Sequence, residues 1–219
     1  MKLRAAAALP CLLVALATGA GVTGKDSKGH AAAQAEAPKP RPADPRLFTL
    51  LGVTMGRAGL APVMAQLGNA PIASRRNAPR VICYVGSDET YVVFEETDTG
   101  WGYTIYSVKT PPKDLLNSNQ CKALFRLNGA TPNGVGVHIT QSLGELKDLL
   151  GPPQTEEKQH VSWVYSAEEA IAPGSDPRLP PDATRVLVRT KVTARLKHGG
   201  VTRLAVFASE EPVAPAAAR

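Results

Sequence analysis

The sequence predicts an α+β fold made of two tandem repeats, each a short helix packed on a three-stranded antiparallel sheet. Three observations predict it. Two amphipathic segments some eighty residues apart, "GLAPVMAQLGNAP" (Gly59 to Pro71) and "SLGELKDLLGPP" (Ser142 to Pro153), share one apolar spacing. Both end on Leu-Gly shortly before proline, and each is followed by three segments that alternate with period two.

Taken in chain order, the first element is a signal. Lys2 and Arg4 make a basic start, and Ala5 to Leu16 is an apolar run followed by small residues. That run is shorter than the roughly 20 residues of a membrane span, and it reads as a signal peptide over residues 1–20, cleaved on export. Cys11 lies inside the run after Leu9-Pro10, the wrong place for a lipidated cysteine. Residues 21–46 hold Ala, Pro and charge without apolar periodicity, a composition that cannot offset its own ordering entropy, so they read as a flexible tether. Residues 212–219 read as a flexible tail.

The first repeat is placed over 47–120 and the second over 121–211. Aligned on Leu-Gly, Leu60, Val63 and Leu67 match Leu143, Leu146 and Leu150, one stripe on one helix face. Ser142 and Glu145 form a capping-box pattern. Gly68 and Gly151 can take the left-handed conformation that ends a helix, and the following prolines prevent continuation. Strands are predicted at Arg80 to Val85, Tyr91 to Glu95 and Gly102 to Val108. A second set is predicted at His160 to Tyr165, Arg185 to Leu196 and Val201 to Ala208. The stretch Glu168 to Ala183, rich in Pro, Gly and acid, reads as an inserted loop. Two such units together would make an extended sheet with helices on one side and the other face available.

Loss of Lys2 and Arg4 from 25 basic residues, against 19 acidic, leaves a charge of about +4. That is too mild and too scattered for nucleic acid. Two cysteines survive the signal, Cys83 and Cys121. An even pair in an exported chain predicts a disulfide, against a metal pair or a catalytic thiol. Neither has the closely spaced Cys or His companion a metal site needs. Periplasmic or secreted localisation is expected.

The paired helix-plus-three-strand unit, with its "LLGPP" helix end, resembles the beta-lactamase inhibitor protein fold over roughly Leu47 to Ser209. It is also similar to the single-unit SmpA/OmlA (BamE) envelope proteins. The resemblance implies a surface for protein–protein contact. The chain departs from both families: BamE proteins are lipoproteins, and the inhibitors carry a disulfide in each half. Only the fold and the idea of a binding surface carry over, with no family residue.

No catalytic constellation is visible. His138, His160 and His198 have no H-E-x-x-H spacing, no serine sits in G-x-S-x-G, and Glu95-Glu96 point to opposite strand faces. The expectation is a binding module without enzyme activity, cofactor or metal. Two surfaces are candidates. On "RVLVRTKVTARLK", alternation puts Arg185, Arg189, Lys191, Arg195 and Lys197 on one strand face, with Arg203 near it. Such a stripe suits an acidic envelope or secreted protein, anionic lipid or envelope polymer. The plainer alternative is a solvated or aggregation-resistant strand face. The second candidate is aromatic, with Tyr91, Trp101 and Tyr103 on adjacent strands; Trp and Tyr are enriched at interaction hot spots, but in strands aromatic residues are packing more often than contacts. Oligomeric state is not legible.

Overall fold

In the computed structural model, residues 42–73, 79–107 and 121–213 are described. The segment read as a signal lies outside them, as do most of the tether and the end of the tail. The tether's last residues are already structured: Asp44 caps a 3-10 helix, Pro45–Phe48, by accepting from the Arg46 N–H at 2.9 Å.

A small hairpin follows, β1 (Thr49–Leu50) with β2 (Val53–Thr54), and then α1 (Ala61–Leu67). No side chain of the α1 segment caps its start. Instead Glu96, from a strand below, accepts from the Leu60 N–H at 3.1 Å. The strands β3 (Arg80–Val85), β4 (Tyr91–Thr97) and β5 (Gly100–Tyr106) form a meander, and β6 (Lys122–Ala123) pairs in parallel with β3. Next comes α2 (Leu143–Leu150), whose capping box is complete: Ser142 Oγ accepts from the Glu145 N–H, and Glu145 Oε2 from the Ser142 N–H. The short β7 (Thr155–Glu156) precedes three long strands, β8 (His160–Ala170), β9 (Arg185–Lys197) and β10 (Gly200–Pro212). The β9–β10 turn puts His198 and Gly199 both at positive φ (52° and 83°), the conformation of a tight two-residue hairpin loop, where glycine carries no Cβ penalty.

These strands correct the expected architecture. There are not two repeats of a helix on a three-stranded sheet. One mixed eight-stranded sheet runs β6-β3-β4-β5-β10-β9-β8-β7, beside the two-stranded β1-β2 sheet. The physical reason is the edge of each meander. β5 and β10 would each expose a row of unpaired N–H and C=O groups, and they pair with one another antiparallel from Gly100↔Ser209 to Tyr106↔Arg203. The helices are short, 7 and 8 residues, and irregular chain does much of the covering.

One face of the sheet, here the inner face, carries the main core. Ile82, Tyr84, Phe94, Tyr103, Leu204, Val206, Val192 and Trp163 are buried there in the same cluster as Val63 and Leu67 of α1 and Leu146 and Leu150 of α2. Aromatic donors fasten the helix ends to the sheet. Tyr84 Oη donates to the Gly68 carbonyl at 2.7 Å, and Trp163 Nε1 to the Gly151 carbonyl at 2.7 Å. Those carbonyls have no partner within a helix, so the sheet satisfies what the helix cannot.

Candidate binding face

The opposite, outer face divides into a closed half and an open half. Register places Val81 and Cys83 of β3, Tyr91 and Val93 of β4, and Tyr106 of β5 side by side, and all five are buried in a second apolar cluster. Ala73, Val85 and Cys121 pack against them. The expected disulfide joins Cys83 to Cys121, with Sγ–Sγ 2.02 Å and Cα–Cα 4.5 Å.

Beyond β5 the face is open. Because side chains alternate along each strand and register aligns them across strands, the outer residues form rows. One row runs Glu95, Gly102, Phe207, Lys191, Val164 across β4, β5, β10, β9 and β8. Phe207 is half-buried because its ring lies over Gly100 and Gly102, where a Cβ would strike the ring at 2.9 and 2.8 Å. Another row runs Tyr106, Arg203, Arg195, His160. The row between them holds Thr104, Ala205, Thr193 and Ser162.

All five cations predicted on β9 are exposed on this face, but they are not equivalent. Arg185 pairs with Glu168, and Arg189 with Glu211 at 3.5 Å. Among the described residues Lys191, Arg195 and Lys197 make no ion pair, and they sit toward the β9–β10 turn. Arg203 joins them, its guanidinium 5.4 Å from the centre of the Tyr106 ring. Glu95, on the closed side, feels the Arg203 charge. Burial raises its pKa, and the Arg203 charge only partly opposes this.

The aromatic candidates are placed differently. Tyr91 is 8% exposed within the closed outer cluster, while Trp101 and Tyr103, 7% and 1% exposed, face the inner core. Tyr103 Oη donates to the Leu47 carbonyl at 2.8 Å and accepts from Asn133 Nδ2 at 3.0 Å, and burial pushes its phenol far above the ordinary range. Trp101 packs against Phe48 and beneath Arg178, and among the described residues its indole N–H has no hydrogen-bond partner. These three side chains therefore pack the fold and do not line the open face.

Three features escape the sequence reading. Phe207 is one: its position two residues from Ala205 and four from Arg203 was a usable period-two signal. His160 is another, since only register shows it opposite Arg195. The third is a network at the far end of the inner face. The Glu210 carboxylate, 2% exposed, accepts from Arg57 Nε at 2.7 Å and from Arg178 Nη2 at 3.2 Å. Arg178 also holds Asp176 at 2.6 Å, which lowers the Asp176 pKa. This ties the segment read as an inserted loop to the sheet, after β8 has already extended through Glu168 to Ala170.

Two concavities lie on the helix side. One of about 430 Å³ is lined by Arg46, Leu47, Val135, Leu149 and Tyr165, and a smaller one of about 160 Å³ by Phe48, Met55, Trp101, Val188 and Thr190. Among the described residues no cluster of three His, Cys, Asp or Glu side chains could hold a metal, and no helix is long and apolar enough to cross a membrane. Comparison with protein-family models, curated proteins and solved structures finds no match for this chain.

Proposed function

We propose that the protein is an exported, non-catalytic binding module that docks an acidic protein on the open face of β8, β9 and β10. The observation that carries this is the charge of that face: among the described residues Lys191, Arg195 and Lys197 stand exposed without ion pairs, while Arg185 and Arg189 on the same strand are paired with acids. The Phe207–Lys191–Val164 row adds an aromatic ring and an aliphatic side chain on either side of a cation. Mixed apolar and cationic groups suit a protein surface, where aromatic and arginine contacts concentrate binding energy. The disulfide supports an oxidising compartment.

The test is affinity capture from an envelope extract with the chain and with two exposed-face variants, Lys191→Glu and Phe207→Ala. One acidic protein held in stoichiometric amount by the chain and lost from both variants is the expected result. The same protein retained by both variants, or capture of anionic vesicles alone, overturns the reading.

A further inference from the structure

Across three hydrogen-bonded strands the chain sets Arg203, Arg195 and His160 side by side, Arg195 being the register partner of both. Partners in an antiparallel pair have Cβ atoms about 4.5–5.5 Å apart, and like charges so placed repel. The same face shows how this chain neutralises a cation where nothing else is asked of it: Glu168 sits by Arg185 and Glu211 by Arg189. Among the described residues Arg195 has no such ion pair, and the row ends beyond His160 at Glu157, whose backbone pairs with that of His160. In the adjacent row Thr193 and Ser162 are register partners, both half-exposed, and among the described residues neither hydroxyl has a hydrogen-bond partner. The Tyr106 ring lies under Arg203 and steadies one exposed guanidinium, which also acts on the Tyr106 hydroxyl and on Glu95.

Two guanidinium groups, an imidazole and two hydroxyls thus share one patch across β10, β9 and β8. Every one of them can donate a hydrogen bond, and the arginines are permanently charged. We propose that Arg195, Arg203 and His160, with Thr193 and Ser162, form a site for a tetrahedral oxyanion, a phosphoryl or sulfuryl group. A tetrahedral group presents several acceptor oxygens in different directions, which a patch of donors from three strands can meet together. A planar carboxylate presents two and is satisfied by a single arginine fork. The site rests on the docking reading only for the openness of the face, and it specifies what a ligand there must carry.

The experiment follows arginine side-chain and backbone NMR signals of the chain during titration with inorganic phosphate, with sulfate, and with acetate at matched ionic strength. Saturable shifts confined to Arg195, Arg203 and their row are expected with phosphate and sulfate, and not with acetate. Arg195→Gln weakens phosphate binding about tenfold or more, the worth of a charge-assisted hydrogen bond. Arg185→Gln leaves it unchanged, and melting curves confirm that both variants are folded. Shifts that never saturate, or that are equal at Arg185 and Arg189, mean general screening and overturn the site. Phosphatidylcholine vesicles with and without phosphatidic acid identify the source. Retention that needs both phosphatidic acid and Arg195 assigns a lipid headgroup, and saturable phosphate binding without retention assigns a soluble ester. Retention indifferent to Arg195→Gln overturns the site. Phosphate binding with no acidic protein captured sinks the docking reading and keeps the site, and the converse result does the reverse.

Discussion

Glu210→Gln is the most informative single change to the fold. Its carboxylate is buried on the inner face and accepts from two arginines, one on each oxygen. Glutamine keeps the volume but turns one acceptor into an N–H₂ that faces an arginine donor. Rupture of a buried ion pair costs about 3–5 kcal/mol when it strands a charge. Here neither arginine is stranded, because Arg57 keeps Glu169 at 2.9 Å and Arg178 keeps Asp176. Arg57 is also 39% exposed, so water offsets part of its loss. The expected destabilisation is therefore about 2 kcal/mol, below the full figure for a stranded charge and still a sizeable part of a stability of about 5–15 kcal/mol. Urea unfolding followed by tryptophan fluorescence measures it, since Trp101 lies 5.5 Å beneath the Arg178 guanidinium. A companion Glu210→Ala also removes the packed methylenes and should cost more than Gln. If Glu210→Gln unfolds within about 0.5 kcal/mol of the parent chain, the range of ordinary surface substitutions, the network is ornamental and the reasoning fails.

Two further outcomes follow from the outer face. Replacement of Cys83 and Cys121 by alanine should lower stability by about 4 kcal/mol, the chain-entropy worth of a cross-link that closes their 38-residue separation; equal denaturation midpoints with and without the cross-link would show that the loop is fixed by other contacts. Glu95 predicts a pH effect of opposite sign to most carboxylates. Burial raises its folded pKa above the unfolded value, so the folded state takes up a proton more readily. Its favourable contribution is complete below the unfolded value and is lost as pH rises through the folded one. Glu95→Gln should accordingly raise the melting temperature at pH 7 relative to the parent and narrow the difference at pH 4. A drop at pH 7 would mean that attraction to Arg203 outweighs burial.

Local features were legible in the sequence because local physics makes them. Ser142 and Glu145 cap α2, period-two alternation separates Val192 and Ala194 from Lys191 and Arg195, and Cys83 meets Cys121. What escaped depends on pairing across distance. Nothing within β5 or β10 marks them as partners, since they are separated by almost a hundred residues and either would satisfy its edge equally well against another strand. The error about two three-stranded sheets arose there. The same blindness hid His160 from Arg195, and it kept Tyr91, Trp101 and Tyr103 among the candidates for a partner although packing was the commoner reading for strand aromatics. Glu96 is a compact case: its neighbour Glu95 and its own strand say nothing of the uncapped helix start that it serves.

The cross-link also decides how many strands the sheet has. β6 contributes two residues, pairs in parallel with β3 only at Tyr84↔Lys122 and Val85↔Ala123, and starts immediately after Cys121. A pair of residues at a sheet edge is little to set against the entropy of a free chain, about 1–2 kcal/mol for each residue ordered. The bond from Cys121 into the middle of β3 removes most of that choice before any hydrogen bond forms. Ala73 pairs with Val81 further along the same edge, so in the oxidised chain the β3 edge is met at both ends, and reduction is expected to loosen its β6 end. A loosened edge invites other chains, so reduction is expected to raise the tendency of copies to associate along β3.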